Sequence, residues 1–348
     1  MLLVIVLLLL GLSFYRVRVA VGGFHEDYLS KPKTDSVKGI FILLVVLTHA
    51  MGYLNDLGYE YEAFGDNWYA SLCNSLGQLV VVMFLFYSGY GVSESYKKKG
   101  NDYLRGYPRK RILTTLLNFD VAVVAFVILA VVLGKPITVS QSLLSLTGWD
   151  TVGNSNWYIF VILCCYVMAW VMLRLQLARR AHRVALLFVL CLTLLVVLSR
   201  FKDNYWFDTL LTFPAGFLFS TYKDEIERWL KRWYWAVLGV LAVLFLVQYY
   251  SYCIGYYFDK LSLRYNFYSI TFALLIVVLT MKVGIGNKPL QWLGRNLFPI
   301  YIYMRLPMII LVEKQPEFVL AQPAAFIVVS LAVTLLIAWL YRYWRIRL

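Results

Sequence analysis

The sequence predicts an all-α, polytopic transmembrane helix bundle, and three observations carry that expectation. The 348 residues are 61% hydrophobic and only 15% charged, with a mean hydropathy of +0.69, whereas a soluble domain sits near 45–50% apolar and about 25% charged. Eleven apolar runs approach spanning length, and at about 20 residues per crossing they consume most of the apolar share. The basic residues collect in alternate loops. This composition excludes a water-soluble enzyme, a disordered tail and a secreted disulfide scaffold, and it leaves no room for a sizeable soluble domain.

In chain order, spans are expected near 2–15, 38–54, 68–93, 112–133, 157–173, 184–199, 205–221, 235–252, 266–283, 297–313 and 323–341. The first run is followed by Arg16 and Arg18 and lacks a small-residue cleavage site, so residues 1–33 read as a membrane anchor with a cytoplasmic linker. Residues 34–348 form the main membrane domain; without the first run, ten spans remain. Of 33 Lys and Arg residues, 26 fall in one alternating set of loops, 6 in the opposite set, and Arg305 lies inside a span. Basic loops stay in the cytoplasm, so the N-terminus is expected outside and the C-terminus inside.

Because basic residues report orientation here, the net charge of +14 gives no reason to expect a nucleic-acid partner; the partners expected first are membrane lipids. The five cysteines lie in or beside apolar runs with no C-x-x-C or Cys/His metal spacing, so no metal is expected. No N-x-[ST] sequon occurs. Outer segments 55–68 and 134–156 combine carboxylates with Tyr and Trp. Rings stack on sugar faces and carboxylates accept hydroxyl hydrogen bonds, although an interfacial aromatic belt has the same composition.

The stretch from Thr34 to Met51 holds the most informative chemistry. Asp35 or Ser36 can cap a helix with Lys38 in its first turn, and the helix then runs apolar to Thr48 and His49. Eleven residues separate Lys38 from His49, which is about 1100° of rotation, so both share one face, with a rise of about 16 Å between them. That rise puts an imidazole near mid-bilayer, where an ionisable group is a functional candidate and where histidine suits proton transfer near neutral pH. A structural histidine bonded to a carbonyl, with Lys38 snorkelling, is the other reading.

A basic residue, ten residues and then His on the first core helix resembles the Arg-x10-His signature of the membrane acyltransferase-3 family. Further segments agree in order. Gly77-Gln-Leu-Val-Val-Val-Met-Phe84-Leu-Phe86-Tyr-Ser88-Gly89-Tyr90 is similar to the family's Gly-x3-Val-x-Phe-Phe-x-x-Ser-Gly-Phe helix. Tyr107-Pro-Arg109-Lys110-Arg111-Ile-Leu113 resembles its basic stretch. Asn156-Trp157-Tyr158 resembles the start of its Trp-Tyr/Phe helix, and Trp292-Leu-Gly294 through Ile300-Tyr301 is similar to its late Leu-Gly-x-x-Ser-x-x-Ile-Tyr pattern. The likeness covers residues 34–310. Two positions depart from it: Lys38 replaces the planar Arg fork, and Met304-Arg305-Leu306-Pro307 stands where a late histidine is often found.

The resemblance implies an O-acyltransferase of a bacterial cytoplasmic membrane. It would move an acyl group, acetyl foremost, from acyl-coenzyme A to a hydroxyl of a glycan or lipid-linked sugar. His49 would then be the catalytic base or the acyl-carrying nucleophile. Lys38, Arg109, Lys110 and Arg111 would meet the donor's phosphates; Lys97, Lys98 and Lys99 read as orientation charges. Gln78 and Ser88 are oxyanion candidates, with Trp157 and Tyr158 as substrate contacts. Asp120 and Arg305 either pair within the bundle or leave Arg305 facing substrate. A transporter or flippase of glycan intermediates, or a sensor using His49 as a pH switch, would share many of these features, although matched halves are not seen. The sequence leaves the oligomeric state open.

Overall fold

The computed structural model describes residues 2–255 and 260–348. Its helices run α1 (Leu3–Phe14), α2 (Lys31–Asp56), α3 (Asp66–Leu76), α4 (Leu79–Tyr107), α5 (Thr114–Val132), α6 (Val139–Leu146), α7 (Trp157–Arg174) and α8 (Arg180–Leu198). They continue as α9 (Thr212–Thr221), α10 (Lys223–Cys253), α11 (Leu263–Lys282), α12 (Lys288–Arg295), α13 (Leu297–Tyr303), α14 (Arg305–Lys314), α15 (Pro316–Ala321) and α16 (Pro323–Leu340). Two short strands, β1 (Arg18–Val19) and β2 (Val283–Gly284), pair antiparallel. The chain is thus an all-α polytopic bundle.

Among the described residues seven helical segments are long and apolar enough to cross a membrane, or eight if α12 and the α13–α14 run, bent by 64°, form one broken span. Eleven apolar runs do not become eleven long helices, and the reasons are local. The run at 2–15 gives only the twelve residues of α1, about 18 Å of helix against about 30 Å of hydrocarbon. The run at 68–93 is broken at Gly77, whose φ of +45° interrupts it between α3 and α4. The run at 205–221 yields the ten-residue α9 after a 3-10 turn at Asn204–Trp206. The segment from Leu79 to Val132 counts as 54 continuous helical residues, about 80 Å if straight. Gly100, with a positive φ of 52°, breaks α4 internally, and a π-helix at Pro108–Leu113 separates α4 from α5.

Helix α2 begins at Lys31, seven residues before the start expected at 38, because extended Ser30 and the following Pro32 open it. Asp35 and Ser36 are therefore inside the helix rather than capping it. Ser36 bonds back to the Pro32 carbonyl at 3.0 Å, and Asp35 pairs with Lys38 at 2.7 Å across one turn.

Two close helix crossings set the frame. A Cβ at Gly39 would lie 2.1 Å from the Leu290 carbonyl oxygen and one at Gly294 1.8 Å from that of Asp35, so only glycine lets α2 and α12 approach this closely. Gly89 and Gly216 play the same part between α4 and α9, where an added Cβ would lie 1.9 and 2.0 Å from the carbonyl oxygens of Phe213 and Phe86. Backbone contact through small residues is the usual means of packing helices in lipid, where apolar side chains gain nothing by leaving one another's company. The segment between α1 and α2 is tied to the rest by β1–β2 pairing, by the Tyr28 hydroxyl donating to Glu227 at 2.9 Å, and by a Lys231–Glu26 ion pair at 2.8 Å.

Candidate functional site

Below the α2–α12 crossing lies a cavity of about 840 Å3, of the size that holds a cofactor-like ligand. Six cations line it, Lys31, Lys38, Lys98, Arg111, Lys223 and Arg295, against three carboxylates, Glu26, Asp27 and Glu94. Lys38 is held in place by Asp35, whose carboxylate is 3% exposed. Arg111, in the π-helix at Pro108–Leu113, lines the cavity, and its guanidinium sits 5.9 Å from the Tyr166 ring centre. Arg109 and Lys110, its neighbours on the same turn, are exposed and do not line the cavity. A basic run read as one patch is therefore split by backbone geometry. Lys98 lines the cavity while Lys97 pairs with Glu94 at 3.0 Å.

Phe84, Ser88 and Tyr158 also line this cavity. The Phe84 and Tyr158 rings meet edge to face with centres 6.1 Å apart, and Tyr158 in turn meets Tyr301 at 5.3 Å. Ser88 lies beside the Tyr158 hydroxyl. Trp157 stays outside, against Tyr158 at 6.0 Å and Tyr205 at 6.1 Å.

His49 does not line the cavity. It is half-buried on α2, three turns beyond Lys38, with Arg305 as its cationic neighbour. Arg305 stands at the α13–α14 joint, where its Nε donates to the Tyr53 hydroxyl at 2.9 Å and its Nη1 to the Asn154 carbonyl at 3.3 Å. Its guanidinium also lies 5.4 Å from the Tyr53 ring centre. Tyr53 is four residues after His49, so the two share a helix face. Arg305 has five N–H donors and two are used in these bonds. Tyr301, one turn before Arg305, has its hydroxyl buried. Tyr158, which lines the cavity, and Tyr301 connect the two groups through their ring contact.

Asp120 does not pair with Arg305. Its Oδ1 is buried on α5 without any hydrogen-bond partner, so of the two arrangements open to this pair the ionic one is absent. Gln78 precedes α4 at the end far from Lys98, where its backbone N–H donates to the Tyr265 hydroxyl at 3.0 Å, and it shares no cavity with Ser88. In the 55–68 segment Asp66 is taken up structurally, accepting from the Tyr59 hydroxyl at 2.6 Å and from the Leu2 N–H at 2.8 Å.

Two residues of the site, Tyr53 and Asn154, were not singled out from sequence. Helical spacing from His49 would have found Tyr53. Asn154 acts through a main-chain carbonyl in the loop before α7, a role that no residue type advertises.

No curated protein and no solved structure is significantly similar to the chain. The model of the acyltransferase-3 family, described as an acyltransferase domain, matches residues 32–343. That match takes in α2 through α16, including Lys38, His49, Arg111, Tyr158 and Arg305, and the chain therefore belongs to the acyltransferase-3 family of membrane acyltransferases.

Proposed function

We propose that this multi-pass membrane acyltransferase takes an acyl group, acetyl foremost, from acyl-coenzyme A at the cytoplasmic face of a bacterial inner membrane and transfers it to a hydroxyl of a glycan or lipid-linked sugar. The observation that carries this reading is the placement of a cation-rich cavity at the Lys38 end of α2 and an imidazole–guanidinium pair three turns farther along the same helix. The gathering of Lys31, Lys38, Lys98, Arg111, Lys223 and Arg295 at the Lys38 end of α2 supports a cytoplasmic placement of that end.

In this reading Lys38 and Arg111 hold the donor's phosphates, as ionised donors to phosphate oxygen make the strongest hydrogen bonds available. The thioester arm runs inward past Ser88 and Tyr158. A His49 nitrogen takes the proton of the acceptor hydroxyl as its oxygen attacks the thioester carbonyl carbon. The negative charge gathering on the carbonyl oxygen is met by the remaining N–H donors of Arg305. Collapse breaks the carbon–sulfur bond, and the thiolate leaves with the proton held by His49. A two-step route, in which the acyl group rests on the imidazole before reaching the hydroxyl, uses the same atoms and gives ping-pong kinetics.

The test is incubation of purified protein with acetyl-labelled coenzyme A, following thioester loss and label transfer to a sugar acceptor. Donor-dependent transfer supports the reading. Absence of both acyl-coenzyme A binding and thioester turnover overturns it in favour of a transport role.

A further inference from the structure

A second cavity, of about 560 Å3, opens at the opposite end of α4 from Lys98, among Gln78, Lys202, Asp203, Asn204, Tyr205 and Asp208. We propose that it is the acceptor subsite of the transfer reaction, holding an uncharged, polyhydroxylated ring with Asp208 as its buried hydrogen-bond acceptor; this rests on the acyl-transfer reading above.

Asp208 is 6% exposed, lines the cavity, and its Oδ1 has no hydrogen-bond partner among the described residues. A buried polar atom left unsatisfied costs about 1–3 kcal/mol, more when charged, so the position makes sense if a ligand supplies the missing donor. A sugar hydroxyl does so without bringing a charge of its own. The other lining groups are mixed: Gln78 and Asn204 both donate and accept, and Asp203 accepts. Tyr205 is 40% exposed and offers a ring on which the C–H face of a sugar can stack.

The lining differs from that of the first cavity: among the described residues one cation, Lys202, stands here with the carboxyl groups of Asp203 and Asp208. Its ammonium is already committed, donating to the Trp149 carbonyl at 2.6 Å and lying 4.1 and 4.4 Å from the ring centres of Trp149 and Trp206. Desolvation there lowers its pKa below the ordinary lysine range. With its lysine already engaged, the cavity offers a phosphate no free cation among the described residues, so it is not a second donor site.

Gly77 keeps the space open. A Cβ there would lie 3.0 Å from the hydroxyls of both Tyr252 and Tyr265, and its φ of +45° is one that other residues adopt at a cost. Gln78 in this cavity and Ser88 in the first are ten residues apart along the α4 region, about 15 Å. Donor and acceptor would thus approach from opposite ends of one helix.

The experiment titrates the full chain in detergent with N-acetylglucosamine, glucose and galactose separately, reading tryptophan fluorescence, to which Trp149 and Trp206 beside Lys202 contribute. Wild type is expected to show a saturable change with at least one of the three, and Asp208→Ala and Tyr205→Ala to weaken it at least ten-fold. Thermal melting of both variants checks the fold; Tyr205→Ala, at a partly exposed position, keeps the test open should Asp208→Ala unfold. No saturable response in wild type, or unchanged affinity in a folded variant, overturns the proposal. Thioester turnover by wild type is measured in parallel: its absence removes the acyl-transfer reading while saccharide binding would still stand.

Discussion

Arg305 donates its Nε–H to the hydroxyl of Tyr53 at 2.9 Å, one helical turn beyond His49. A guanidinium inside a membrane protein is thereby held, among the described residues, by a phenol and a main-chain carbonyl and by no carboxylate. A charge kept on neutral partners retains its field for a substrate, which is the arrangement expected of an oxyanion donor rather than of a structural ion pair.

Arg305→Ala is accordingly expected to lower acyl transfer about 100-fold or more, the usual effect of losing an oxyanion donor. Arg305→Lys should recover little, because an ammonium cannot bond Tyr53 and Asn154 in two directions while also facing substrate. Steady-state kinetics with the melting temperature as a fold control check this. Full activity in Arg305→Ala would remove the residue from the reaction.

Asp120→Asn should leave turnover unchanged and hold or raise the melting temperature. The carboxyl oxygen is buried without a partner, so neutralising it removes a desolvation cost and breaks no ion pair. A clear loss of stability would show that Asp120 has a partner after all.

Arg111→Ala is expected to weaken acyl-coenzyme A binding about ten-fold, equivalent to about 1.4 kcal/mol, whereas Lys110→Ala, two neighbouring cations apart only in direction, should change it little. Isothermal titration separates them. Lys38→Ala is a poorer probe because it strands the buried Asp35 carboxylate. Equal effects at 110 and 111 would mean that lining the cavity does not decide which of these cations meets the donor.

Gly294→Ala places a methyl 1.8 Å from the Asp35 carbonyl oxygen. Overpacking of this kind typically costs about 1–3 kcal/mol, and here it pushes apart α2 and α12, the crossing above the basic cavity. Thermal melting in detergent should show the loss, and Gly11→Ala, with nothing within 4 Å of the added carbon, should show none.

The fold class was legible because lipid imposes composition and length on every span. The face shared by Lys38 and His49 followed from helical geometry alone, and α2 is indeed one unbroken helix through both. The number of long helices was not legible, since an apolar run such as 205–221 gives no sign that a turn at Asn204–Trp206 and a short α9 will occupy it. The sorting of Arg111 from Arg109 and Lys110 depends on which face of their helix meets the bundle, and their charges do not encode that. Asp208 lay unnoticed within an apolar span, and the carboxylate-rich 55–68 segment drew attention although its Asp66 is bound to Tyr59 and the Leu2 N–H. Burial and partnering of a carboxylate are properties of the fold, not of the run that contains it.

The most direct test of the account compares wild type and His49→Ala in a single-turnover assay with acetyl-labelled coenzyme A and a sugar acceptor, alongside a donor-binding titration. The account predicts that transfer falls by about 100-fold to 10,000-fold, the range of a lost acid–base group, while donor affinity is retained because Lys38 and Arg111 are intact. Transfer at the wild-type rate in His49→Ala would contradict it.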